Sequence, residues 1–445
     1  MVISAMSEAT EDDPEFQAVD GPDPVVGPSK PRLLGILGPG LITGASDDDP
    51  SGIATYSQAG AQVGFALLWL MPFTYPLMAV TQEISARLGR TTGRGLAGNI
   101  RRHYPAWVAQ SCISLLLIAN VINLGADLGS MGDVTQMLIG GPRWPYVVGF
   151  GLICVGLQVF LQYARYVAVL KWLTLALFAY FGTVLTVSIH WHEALHGLLV
   201  PTWQNSKDFI SLVVAVLGTT ISPYLFFWQS SQEAEDEREQ PRREKLTEAP
   251  EQAAAAFKRI GLDTWIGMAL SNLVALAIML TAGATLHVAG KTDIDSSQMA
   301  AEALRPIAGE FAFLIFALGI IGTGFMAVPV LAGSAAYAVG EALRWPVGLA
   351  RQPKAAHAFY ATLAVATALG TAISLLPVDP IRALYWSAVI NGVMAAPIIV
   401  VMMNLASNPR VMGRFTLSLW LKAVGWITAA VMALCVIGLF ASIQL

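Results

Sequence analysis

The chain has 445 residues, of which 55% are hydrophobic and only 13% charged, and its mean hydropathy is +0.59. Ordinary soluble domains carry about a quarter charged residues, so this composition argues against a soluble enzyme. It also excludes a disordered chain, because there is no low-hydrophobicity majority, and a disulfide scaffold, because there are only three cysteines (Cys112, Cys154, Cys435), none in a CxxC and each in an apolar run. The formal charge of -4 gives no basic footprint for nucleic acid, which leaves a polytopic membrane protein.

In chain order, residues 1–32 come first, with Glu8, Glu11, Asp12, Asp13, Glu15, Asp20 and Asp23 among several prolines. They read as a disordered acidic cytoplasmic tail. They lack the basic start and apolar stretch of a signal peptide. Beyond them, runs long enough to span a bilayer, about 20 apolar residues each, are expected near 34–60, 62–86, 106–138, 145–163, 166–190, 208–232, 260–288, 308–342, 356–376, 380–404 and 416–443. These group into residues 33–190 with spans one to five, an external loop 191–207, residues 208–404 with spans six to ten, and residues 405–445 with an eleventh span.

With the tail inside, only Arg143, Lys207, Lys291, Arg305 and Arg382 of the 26 basic residues fall on or near the outer side. The basic excess therefore places the N-terminus in the cytoplasm and the C-terminus outside. The loop 233–257, the most charged stretch, reads as a solvated cytoplasmic connector.

Two spans are interrupted by residues that do not suit a lipid-facing helix. The first contains Asp47-Asp48-Asp49-Pro50-Ser51-Gly52. Pro50 removes a backbone donor and Gly52 loosens the chain, so carbonyls are freed beside carboxylates, which is a cation site. An extramembrane turn is the competing reading, but residues 33–45 alone are too short to cross ~30 Å of hydrocarbon at about 1.5 Å per residue. The sixth span contains Gly218-Thr219-Thr220-Ile221-Ser222-Pro223-Tyr224. Matched breaks at Pro50 and Pro223, each in the first helix of a five-helix half, point to an inverted repeat with its binding site between two broken helices.

Other polar residues are weaker candidates. Asp127 in span three suits an ion path or a structural hydrogen bond, and Asn391 in span ten suits an oxygen ligand or an interhelical bond. Asp263, Glu83 and Glu341 lie near cytoplasmic ends and are expected to be solvated or snorkelling. His190, His192, Glu193 and His196 sit in the external loop and do not read as a zinc site.

The two broken segments, together with Ala59-Gly60-Ala61, Leu67-Leu68-Trp69 and Ser85-Ala86-Arg87-Leu88-Gly89, resemble the NRAMP family of divalent-metal transporters over roughly residues 34–443. The resemblance implies an all-α fold with about eleven transmembrane helices. That fold is a LeuT-type 5+5 inverted repeat with helices 1 and 6 broken, plus one extra helix. It implies that Asp49 stands at the metal-binding aspartate, while Gly52 replaces the family's asparagine. Ser222-Pro223-Tyr224 stands where the family has Met-Pro-His, and Thr219 takes the carbonyl-donating position.

Losing the thioether favours hard cations over soft transition metals. Losing the asparagine as well enlarges the pocket, which suits a Mg²⁺ that keeps most of its waters. On these departures the chain is more similar to the NRAMP-related magnesium transporters than to the manganese and iron branch. In span three, Gly125-Ala126-Asp127-Leu128-Gly129-Ser130 keeps the family's aspartate and puts Ser130 at its glutamate, while Tyr224 replaces the histidine, so proton coupling is expected to be weak or absent.

The expected function is import of Mg²⁺, with Mn²⁺ also carried, by alternating access in a bacterial inner membrane. Asp49 anchors the ion, with Ser46, Gly52, Thr219, Ser222 and Asn391 around it. Asp127, Tyr224 and Ser130 lie one layer out. The metal is cargo, no cofactor is expected, and the partners are the cation and the lipid bilayer of a monomer. The rivals are a proton-coupled Mn²⁺/Fe²⁺ symporter and an amino-acid transporter of the same fold. An intramembrane enzyme fails for want of HExxH, GxSxG or paired catalytic acids at membrane depth.

Overall fold

The structure is a computed structural model that describes residues 43–44, 46–160, 178–239, 243–294 and 296–444. Among these residues there is no β-strand. The principal helices are α1 (Pro50–Val63), α2 (Leu70–Thr92), α3 (Leu96–His103), α4 (Ala106–Ile139), α5 (Arg143–Phe160), α6 (Phe178–Thr186) and α7 (Trp191–Leu199). They continue with α8 (Lys207–Thr220), α9 (Pro223–Glu239), α10 (Ala253–Ala282), α11 (Ala312–Leu343), α12 (His357–Ser374), α13 (Pro380–Ser407) and α14 (Leu419–Gln444).

Local chemistry sets the ends of these helices. Ser206 caps α8 by accepting from Phe209 N, and Asp379 caps α13 by accepting from Arg382 N, with Pro380 at the first helical position. α4 runs for 34 residues and stops at Gly140, whose φ of 78° needs a glycine. At about 1.5 Å per residue it is longer than the ~30 Å hydrocarbon core.

Eight stretches among the described residues are long and apolar enough to cross a membrane. They correspond to the expected spans three, four and six to eleven. The other three fall short for visible reasons. The start of the first lies outside the described residues, and the second carries Glu83, Arg87 and Arg90. Of the fifth, residues 166–177 lie outside the described residues, and the described part contains α6. The tail 1–32 also lies outside them.

The packing encloses the two broken segments. α1 packs against α10, α13 and α8, α9 packs against α2 and α11, and α4 packs against α11, α12 and α13. Close approach is possible where side chains are absent: a Cβ on Gly218 would lie 2.0 Å from the Ala388 carbonyl oxygen, so α8 and α13 meet backbone to backbone.

The charged connector is a correction. α9 runs on to Glu239, and Glu233, Glu235, Asp236 and Glu237 are buried rather than solvated. Pairing is the reason: Glu233 is bonded to Arg259 and Asp236 to Arg243, while Glu235 accepts from Tyr337 OH and, at 2.8 Å, from Ala350 N. Glu83, Asp263 and Glu341 are likewise buried, not snorkelling. Glu83 accepts from Trp265 Nε1 and Arg87 Nε at 2.8 Å each, and Glu341 accepts from Ser231 Oγ and Gly98 N at 2.8 Å each. Arg90, expected beyond span two, is buried inside α2 and donates to Gln252 Oε1 at 2.8 Å. The external loop holds a helix, α7, on which His192, Glu193 and His196 are exposed.

Candidate functional site

The first break falls at Asp48–Asp49. Thr43, Gly44, Ser46 and Asp47 are helical, Asp49 is extended with ψ 170°, and α1 restarts at Pro50. Asp49 is the N-cap of α1. Its Oδ1 accepts from Gly52 N at 2.8 Å and from Ser51 Oγ at 2.6 Å, so the sequence Asp-Pro-Ser-Gly caps its own helix. Oδ2 faces α4 and accepts from Asn123 Nδ2 at 3.0 Å, and Asn123 Oδ1 in turn accepts from Ser387 Oγ on α13 at 2.7 Å. The carboxylate is buried, and every one of these partners is neutral.

The second break falls at Ile221–Ser222, between α8 and α9. Ser222 Oγ lies 2.8 Å from the Gly218 carbonyl and 2.9 Å from that of Thr219, so its hydroxyl satisfies the end of α8. The breaks touch at two points. A Cβ on Gly52 would lie 3.3 Å from Thr219 Oγ1, and Tyr224 OH donates to the Ser46 carbonyl at 3.1 Å. Asp49, Gly52, Thr219, Ser46 and Tyr224 are thus brought together.

Asp127 and Asn391 extend the same polar layer. Asp127 is one helical turn beyond Asn123, and Asn391 is one turn beyond Ser387. Both oxygens of Asp127 and the Nδ2 of Asn391 are buried without a hydrogen-bond partner. Ser130 does not reach the Asp127 carboxylate: its hydroxyl donates to the Asp127 backbone carbonyl at 2.8 Å.

Sequence reasoning missed Asn123, the group that orients Asp49. The signal was present as a polar stripe, Asn120, Asn123 and Asp127, at helical spacing in an otherwise apolar span. It also missed Ser271 on α10, whose hydroxyl lies 2.7 Å from Asp47 Oδ2. A lone serine in an apolar helix carries no such signal.

Chemically the arrangement offers carboxylate, carbonyl and hydroxyl oxygens and a buried negative charge. Among the described residues no three His, Cys, Asp or Glu side chains are grouped to hold a metal, so an ion here would rely on carbonyls and hydroxyls beside the carboxylate.

Residues 40–442 match the family model described as natural resistance-associated macrophage protein-like, Nramp. The chain belongs to the Nramp family. It is therefore a transporter and not an enzyme, and an integral membrane protein. The chain is 27% identical over 410 residues to the divalent metal cation transporter MntH of Klebsiella pneumoniae, covering 89% of this chain and 92% of that one. It is 28% identical over 312 residues to the MntH of Aeromonas hydrophila, covering 68% and 72%. Among solved structures, the Eremococcus coleocola manganese transporter superposes with a TM-score of 0.72 at 17% identity, covering 98% of this chain and 88% of that one. MhsT in complex with L-phenylalanine gives a TM-score of 0.60 at 13% identity, covering 91% and 98%. The fold shared with both is that of the Nramp and LeuT-type transporters. Within the Nramp frame, Tyr224 and Thr219 are residues through which the second break reaches the first.

Proposed function

We propose that the chain imports a divalent cation, principally Mg²⁺ with Mn²⁺ also carried, into the cytoplasm by alternating access. The observation that carries this reading is the Asp49 carboxylate, buried at the first break with only neutral partners, beside Thr219 at the second. A buried carboxylate without a cation costs several kcal/mol, and an ion held against it through oxygens alone is a hard one. Asp49 anchors that ion, directly or through a water. Carbonyls or hydroxyls at Ser46, Thr219 and Ser222 and the amide of Asn391 complete the shell. The metal is cargo, and its relatives' name as divalent metal cation transporters supports the class of ion.

Residues 33–190 and 208–404 are read as the two halves of the repeat and 405–445 as the added span. The protein is read as a monomer in a bacterial inner membrane, with the N-terminus inside and the C-terminus outside. Movement is driven by the ion gradient and membrane potential, with little or no proton coupling, because Tyr224 occupies the histidine position. One observation favours a second reading, a proton-coupled symporter: Asp127 keeps a buried carboxylate whose two oxygens have no partner.

The test is Mg²⁺ influx into proteoliposomes holding a trapped Mg²⁺-sensitive dye under a negative-inside potential. Saturable influx lost in Asp49→Ala is the expected result. Protein that moves Mn²⁺ but not Mg²⁺, with Asp127-dependent acidification of the lumen, overturns it in favour of the symporter.

A further inference from the structure

Asp47 and Asp48 are buried at the first break, 1% and 5% exposed, and the reading of Asp49 as anchor gives neither a task. Their hydrogen bonding is poorer than that of Asp49, on which Ser51 Oγ, Gly52 N and Asn123 Nδ2 converge. Asp47 and Asp48 share one hydroxyl instead. Ser271 Oγ on α10 lies 2.7 Å from Asp47 Oδ2 and 3.2 Å from Asp48 Oδ1. A hydroxyl has one proton, so at any instant it serves only one of the two carboxylates. Asp47 Oδ1 has no partner at all. A further group faces the same place from α1. The Tyr56 hydroxyl is wholly buried beside the Thr219 side chain and lies in the field of Asp47, Asp48 and Asp49.

The unmet anionic capacity of the break therefore lies at Asp47 and Asp48 more than at Asp49. Two carboxylates beside one another repel, and burial without a basic partner costs several kcal/mol for each. Among the described residues they meet neutral groups only, which leaves their charge to be balanced by an ion. The atoms on offer are carboxylate and hydroxyl oxygens, a donor set for a hard divalent cation.

We propose that Asp47, Asp48 and Ser271 form a second subsite for a hard divalent cation, on the α10 side of the break and separate from the position at Asp49. It rests on the proposed function for the class of ion and adds a second station beside the first.

The experiment is Mn²⁺ binding to the purified full-length chain in detergent, reading free Mn²⁺ by its paramagnetic resonance signal at saturating metal. Two ions per native chain are expected, and one in the double variant Asp47→Asn/Asp48→Asn, which keeps side-chain size. Asp49→Ala is also expected to hold one. Ser271→Ala keeps two ions, the second bound about tenfold more weakly, the loss expected for one charge-assisted hydrogen bond. Should the double variant fail to fold, by thermal unfolding without metal, Ser271→Ala decides: unchanged affinity for both ions overturns the subsite.

A native chain that holds one ion, kept in the double variant and lost in Asp49→Ala, overturns the second subsite and leaves the proposed function standing. Unchanged stoichiometry in the folded double variant overturns it too, and means that the pair shares a proton instead. A native chain that holds no ion overturns both readings.

Discussion

Two clusters of buried acids lie in this molecule, and they are completed in opposite ways. Along α9, Glu233 is paired with Arg259, Asp236 with Arg243, and Glu237 lies 3.6 Å from Arg90, while Glu235, and Glu341 facing it from α11, accept from backbone N–H groups and hydroxyls. At the first break, Asp47, Asp48 and Asp49 are as deeply buried but meet only hydroxyl, amide and backbone donors. Burial alone therefore says little about what an acid does. A carboxylate that has its cation in the chain is part of the scaffold, and so are Glu235 and Glu341, both of whose oxygens are taken by hydroxyl or backbone donors; at the first break Asp47 Oδ1 has no such partner and is open to an ion.

That contrast breaks or sharpens under substitution. The largest effect is expected from Asp49→Asn, which keeps shape and removes charge: divalent-cation uptake in proteoliposomes falls to the level of empty vesicles while the melting temperature without metal is not lowered. If charge in this cluster served stability instead, the melting temperature would fall and uptake would follow it. Arg259→Ala should behave in the reverse sense. It strands the fully buried Glu233 and should cost about 3 kcal/mol of stability, seen in thermal unfolding, with uptake per folded molecule largely kept.

Asn123→Ala removes one donor from Asp49 and one acceptor from Ser387. Initial uptake rates should drop about tenfold, the size of one hydrogen bond to a charged group. Ser387→Ala should do less, because it touches the carboxylate only through Asn123. The smallest effect is expected from Ser130→Ala: its hydroxyl bonds a carbonyl of its own helix, so uptake and its pH dependence should stay within about twofold. A larger change would join Ser130 to the Asp127 carboxylate after all.

The sequence already carried the two breaks, because proline, glycine and acids do not belong in a lipid-facing helix and stand out against an apolar background. It carried Asp49 by the same contrast. It did not carry the burial of Glu233–Glu237: a run of charges looks solvated unless one knows that Arg259, Arg243 and Arg90 come to it from elsewhere in the chain. Nor did it distinguish Ser130 from Asn123. Both lie on one helix near Asp127, and only the direction in which each side chain leaves that helix separates a local bond from a reach across to α1.

The seam between α8 and α13 has a consequence for how such a protein changes over generations. At Gly218 an added methyl would meet the Ala388 carbonyl at 2.0 Å and the Gly392 nitrogen at 2.4 Å, both fixed backbone. At Gly52 it would meet Thr219 Oγ1 and a Tyr56 ring carbon at 3.3 Å, a fit that asks those side chains to shift by a few tenths of an ångström, with the Asp47 carbonyl at 3.4 Å. Mutation is therefore closed at the seam and open at the mouth of the break. If the break holds the ion as proposed, a lineage built on this frame has single steps open to it at residue 52, while the joint that holds the frame together stays as it is.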